Sequence, residues 1–174
     1  MRLLGEEFSM DHILVATDGS HKGRDAVMMA AKLAKAIDAP LTVLHVVAPG
    51  FSSATNGLPG SGRVFPIGNM IPGMSRPTEL SHARGDGIDE SALAVGKRIV
   101  EEARNEARGL GVENVSARLE MGDCAETVLE TATEISASLI VVGSRGLGRL
   151  KGMLLGSVSK KVVQDAHCSV LIVR

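Results

Sequence analysis

The stretch "ASLIVVGSRGLGRLKGMLLGS", residues 137–157, changes character halfway. Its first part, 138–143, is a short apolar run rich in β-branched residues and reads as a buried strand. Its second part sets glycines among three cations, Arg145, Arg149 and Lys151. Directly after it, "SVSKKVVQDA" (157–166) has a helical pattern, and "SVLIVR" (169–174) is apolar again. A strand, a glycine-rich loop, a helix and a further strand form one repeat unit of an alternating α/β chain.

Reading outward, the same alternation recurs. "DCAETVLETATEIS" (123–136) predicts a helix that turns Ala125, Val128, Leu129, Ala132 and Ile135 inward. Asp123 stands at its N-cap and Glu126 at the capping-box position. "NVSARLEM" (114–121) alternates as a strand. Before it a helix begins at Asp89, striped by Ala92, Ile99, Ala103 and Ala107, and ends at Gly109 or Gly111. Near the start, "HILVAT" (12–17) is a strand closed by "DGS". The helix after it has Ser20 as N-cap, carries Ala26, Ala30, Leu33 and Ile37 on one face, and stops before Pro40. "LTVLHVV" (41–47) follows as a strand.

The order is βαβ, a long segment, then αβαβαβ. Near-continuous apolar strands alternating with helices predict a parallel sheet covered on both faces, doubly wound through right-handed crossovers. One domain accounts for residues 11–174. Residues 1–10 read as an N-terminal extension. Residues 48–88, rich in Gly, Pro and Ser without periodicity, read as a long flexible insertion.

Composition narrows the function. The chain of 174 residues has no Trp or Tyr and only 3 Phe, so its core must come from aliphatic side chains and Met. It lacks aromatic platforms for stacking bases, and its net charge of -1 recommends no polyanionic partner, so nucleic acid is not expected. No apolar run approaches the ~20 residues that cross a bilayer, so no membrane partner is expected. The N-terminus shows no apolar core of a secretion signal. Cys124 and Cys168 form no CxxC pair, which suits a reducing cytoplasm. The histidines have no metal-ligand spacing. His45 reads as a core or sheet-edge residue, and Cys168 as a small buried hydrophobe.

Open α/β sheets bind ligands beyond the carboxyl ends of their strands, where the strand order reverses. Gly143 and Asp18 both stand at such ends. A glycine loop lets backbone amides approach an anion, and the helix beginning at Gly156-Ser157 adds unpaired N–H groups and its dipole. Ser157 and Ser159 add hydroxyls, and Arg145 adds a cation. These parts suit a polyphosphate. No window fits GxxxxGK[ST]. "GLGRLKG" is one residue too long for GxGxxG and follows the wrong strand.

One pattern fits in full: Gly143-x2-Gly146-x9-Gly156-Ser157. It resembles the nucleotide-binding signature of the universal stress protein family. "HILVATDGS", "LTVLHVV" and "GSVSKKVVQDAHCSVLIVR" resemble that family's first strand, second strand and closing helix and strand. The resemblance implies a five-stranded parallel sheet of order 3-2-1-4-5 with helices on both faces. It also implies a homodimer paired through the last strand, Ser169 to Val173. Members with the full signature bind ATP, and AMP or ADP are further expectations. By position, Ala16, Thr17 and Asp18 would lie against the adenosine, Val46 would meet adenine through its backbone, and Val142 and Gly143 would lie near the ribose. Gly146, Gly156, Ser157, Val158 and Ser159 would cradle the phosphates.

No GxSxG elbow or convincing catalytic set is present, and ATP turnover would call for a water-positioning group and Mg²⁺ or Mn²⁺. The expectation is therefore a cytoplasmic ATP-binding regulator or sensor with a protein partner that the sequence does not identify. The alternatives are a slow ATPase and a dimeric interaction module that binds no nucleotide.

Overall fold

A computed structural model describes residues 11–48, 90–146 and 155–174. The predicted extension 1–10, nearly all of the insertion, and Arg149 and Lys151 lie outside the described residues. The elements run β1 (Ile13–Ala16), α1 (His21–Ile37), β2 (Leu41–Val47), α2 (Glu90–Gly109), β3 (Val115–Met121), α3 (Cys124–Glu134), β4 (Leu139–Gly143), α4 (Ser157–Asp165) and β5 (Ser169–Val173). The five strands form one parallel sheet in the order β3-β2-β1-β4-β5, as expected.

Side chains alternate across a strand, so each strand serves two cores. Ile13, Val15, Leu41, Val43, Leu139 and Val141 pack against α1 and α2. Leu14, Leu44, Ile140 and Val142 pack against α3 and α4. Among the described residues no aromatic ring contributes to either core. Small residues face the sheet from α1, where Gly23, Ala26, Ala30, Ala31 and Ala34 are all buried. That brings the helix backbone close to the strands.

Local signals mostly hold. The Ser20 side chain caps α1 by accepting from Gly23 N, and Asp38 ends the helix in the left-handed conformation, two residues before Pro40. The Asp123 side chain caps α3 by accepting from the backbone N–H groups of Ala125 and Glu126. Glu126 does not read as expected: its carboxylate accepts from Lys161 Nζ at 2.9 Å and so ties α3 to α4. In α2, Val100 and Gly96 are buried together with Ala92, Ala103 and Ala107, while Ile99 is half-buried. β1 is shorter than "HILVAT" suggests, because His12 and Thr17 lie just outside it.

The amino ends of the strands carry a polar row. His12 Nε2 lies 2.8 Å from Thr42 Oγ1, which lies 2.8 Å from Ser116 Oγ. Burial lowers the His12 pKa from its ordinary value of 6.5.

Candidate functional site

The strand order reverses between β1 and β4. The chain leaves β1 into α1 on one face and leaves β4 into α4 on the other. The two connections diverge and leave a crevice at the carboxyl ends of these strands, the general ligand position in such sheets.

Asp18 and Gly146 meet there. A Cβ built on Gly146 would stand 2.5 Å from Asp18 Oδ2, so only glycine admits the carboxylate at this separation. The other oxygen, Oδ1, accepts from Ser20 N at 3.0 Å, which fixes the turn after β1. Gly143 makes a second close approach: its Cβ would lie 2.7 Å from the Lys22 carbonyl oxygen, where α1 passes over the end of β4. Thr17 is buried; its Oγ1 accepts from Gly19 N at 3.2 Å. Ala16, the last residue of β1, is half-buried on the face of α3 and α4.

The loop after β4 returns to where it left. Gly156 N donates to the Ser144 carbonyl at 2.8 Å, while Ser144 N donates to Val173 O at 2.6 Å. Gly156 therefore sets the first turn of α4 beside Ser144 and Arg145. As the N-cap residue it makes no side-chain cap bond to the first N–H groups of α4, the groups that a helix start turns toward an acceptor. Ser157 is exposed at that terminus, Val158 packs toward the core, and Arg145 is exposed. Ser159 turns its hydroxyl inward. It is buried, and its hydroxyl donates to the Gly143 carbonyl at 2.8 Å. Val142 is buried beneath the crevice.

Val46 reaches the crevice through its backbone. In a parallel ladder alternate residues face the same neighbour. Leu44 O accepts from Thr17 N at 2.9 Å, so Val46 also presents its N–H and C=O toward β1. The β1–β2 register stops at Ala16↔Leu44, and these Val46 groups point past the end of β1.

The sequence reading passed over two residues. His45 Nδ1 lies 2.8 Å from Thr17 O, and because a carbonyl only accepts, Nδ1 is the donor. Cys124, the first residue of α3, has its pKa raised mainly by burial and further by the charges of Asp123 and Asp18. That places the thiol within the field of the crevice carboxylate and keeps it protonated. The signal for His45 was its place just before Val46 on the strand next to β1; nothing local marked Cys124. Among the described residues no group of three His, Cys, Asp or Glu side chains is gathered to hold a metal ion. No described helix is long and apolar enough to cross a membrane. The arrangement sets a glycine turn and a helix start beside a carboxylate and a strand edge bearing a donor and an acceptor.

The model of the universal stress protein family matches residues 10–65 and 74–174, which takes in much of the segment read as an insertion. The universal stress protein YxiE of Bacillus subtilis (strain 168) is 37% identical over 164 residues, covering 93% of this chain and 97% of its own. The universal stress protein UspA of Lactobacillus plantarum has the same fold, with a TM-score of 0.69 at 21% identity, covering 95% of this chain and 98% of that one. A universal stress protein solved in complex with cAMP is 26% identical, with a TM-score of 0.64 and the same coverage of 95% and 98%. With its fold, its glycine signature and these matches in agreement, this chain belongs to the universal stress protein family.

Proposed function

We propose that this protein binds an adenine nucleotide, ATP foremost, in the crevice between β1 and β4, and that occupancy governs how it meets a protein partner in a cytoplasmic stress response. The observation that carries this reading is the contact of Asp18 with Gly146, which joins the turn after β1 to the glycine loop after β4. Around it the uncapped start of α4 and the exposed Arg145 suit phosphates, and the Val46 backbone edge suits a base with both a ring acceptor and an amino donor. The relative solved with cAMP supports an adenine nucleotide as the ligand class. Both cysteines are free thiols, in keeping with the cytoplasm.

The test is to denature freshly purified protein, identify any released nucleotide by chromatography and mass, and titrate ATP into stripped protein with and without Mg²⁺ or Mn²⁺. Micromolar binding or near-stoichiometric nucleotide is expected. Absence of both would overturn the reading, and sustained phosphate release would turn it into that of an ATPase.

The partner surface includes a second copy of this chain. β5 is an edge strand with no charged side chain, and Val170, Leu171, Ile172 and Val173 are half-buried. Ser169 N and Val173 O bond toward β4, so Val170 and Ile172 direct their backbone groups outward. Ile172→Pro removes one outward donor and should shift a dimer to monomer in sedimentation.

A further inference from the structure

One hydrogen bond that would extend the sheet past β1 is replaced by a side-chain bond. The β1–β2 register ends at Ala16↔Leu44. One step further, the Thr17 carbonyl would accept from Val46 N–H. Instead, His45 Nδ1 donates to Thr17 O at 2.8 Å. The carbonyl is satisfied from the ring, so β2 does not need to zip further along β1.

The imidazole is held for this task. His45 lies on the face of the sheet covered by α2, and a Cβ on Gly96 would stand 3.1 Å from its Cδ2. The helix backbone thus packs directly on the ring. The next residue, Val46, turns its side chain to the opposite core. The strand therefore carries the capping ring on one face while its edge carries the Val46 amide toward the crevice.

We propose that His45 is a positioning and specificity residue for the nucleotide: by holding the Thr17 carbonyl toward its ring, out of line with the ladder, it keeps β2 from zipping onto β1 and reserves the Val46 N–H for an acceptor nitrogen of the base. This rests on the nucleotide reading above and adds to it a residue that never touches the ligand. Removing the imidazole donor leaves Thr17 O to recruit Val46 N–H, which extends the ladder by one bond and withdraws the amide from the base. The phosphate end, built on β4 and α4, is untouched.

The test compares wild type, His45→Leu and His45→Asn by calorimetry, with ATP and with inorganic tripolyphosphate as probes. Asn places an amide N–H close to the position of Nδ1. His45→Leu should weaken ATP about tenfold, the scale of one hydrogen bond, and leave tripolyphosphate unchanged. His45→Asn should recover ATP affinity to within about threefold of wild type. Amide hydrogen exchange on the nucleotide-free proteins gives a readout independent of binding: Val46 should exchange rapidly in wild type and become protected in His45→Leu. Equal loss of ATP and tripolyphosphate, failure of Asn to rescue, or a Val46 amide already protected in wild type would overturn the proposal. If wild type binds no adenine nucleotide, the functional reading fails by itself, and the exchange experiment still decides whether His45 holds the ladder open.

Discussion

Replacing Gly146 by alanine isolates the junction on which the site depends. The added methyl would stand 2.5 Å from Asp18 Oδ2, about 0.9 Å short of the 3.4 Å at which ordinary contact begins. The strain is therefore one of space, and either the carboxylate or the loop must give way. Rotating Asp18 breaks the bond from Ser20 N to Oδ1, worth about 1 kcal/mol, so the fold should lose about 1–2 kcal/mol in urea unfolding. Moving the loop displaces it by nearly 1 Å from the place proposed for it over the phosphates, a misplacement of the size that costs about a hundredfold at a positioned site. ATP affinity measured by calorimetry should fall between about tenfold and a hundredfold, or about 1.4–2.7 kcal/mol. A double-mutant cycle sharpens the test. With Asp18→Ala in place the clash is gone, so adding Gly146→Ala should cost almost nothing further. Wild-type affinity in Gly146→Ala, or additive losses in the double variant, would refute the idea that these two residues form one functional junction.

Gly143→Ala should destabilise the fold by about 1–3 kcal/mol, because its methyl would meet the Lys22 backbone and no side-chain rotation relieves that; a urea midpoint measures it. Ser159→Ala should cost about 1–3 kcal/mol by leaving the Gly143 carbonyl without this donor, and a loss of ATP affinity with no loss of stability would assign the hydroxyl to the ligand instead. The folded protein holds the His12 pKa below 6.5, so the unfolded chain takes up that proton first. Stability should be constant in this respect above pH 6.5 and fall as pH drops toward the lowered folded value; His12→Asn should flatten that part of the curve in urea titrations at about pH 5.5 and 7.5. In a Cys168→Ser background, Cys124 should alkylate more slowly than free cysteine at about pH 8, and Asp18→Asn should speed it by a few-fold, about the effect of one partly screened charge. An unchanged rate in Asp18→Asn would place Cys124 outside the reach of that carboxylate.

The fold could be read from the sequence because its information is local. Strands such as "LTVLHVV" and "SLIVVG" are apolar on both faces, which only a doubly covered parallel sheet tolerates, and Ser20 and Asp123 mark helix starts through bonds two or three residues away. Strand order came from the family resemblance. Within the site, the glycine spacing was legible as a family signature, while the groups that crowd Gly143 and Gly146 are Lys22 and Asp18, far away in the chain. What escaped was the pairing of groups far apart in sequence. His45 and Thr17 are separated by 28 residues, and only the register of β1 on β2 brings the ring to that carbonyl. Ser159 bonds Gly143 across 16 residues. Its inward rotation toward Gly143 depends on where α4 packs, which no pattern within α4 specifies. Cys124 nears Asp18 for a similar reason: α3 begins at the same end of the sheet as α1.

The aliphatic core has a spectroscopic consequence. With no Trp or Tyr and only 3 Phe in 174 residues, the polypeptide is almost transparent in the near ultraviolet. An adenine ring held in the crevice would dominate the absorption of the purified protein, so its occupancy can be read directly from an unlabelled sample. Melting the protein should not change the amount of that signal. Separating small molecules from the chain before and after melting would then show whether the chromophore leaves only when the sheet comes apart.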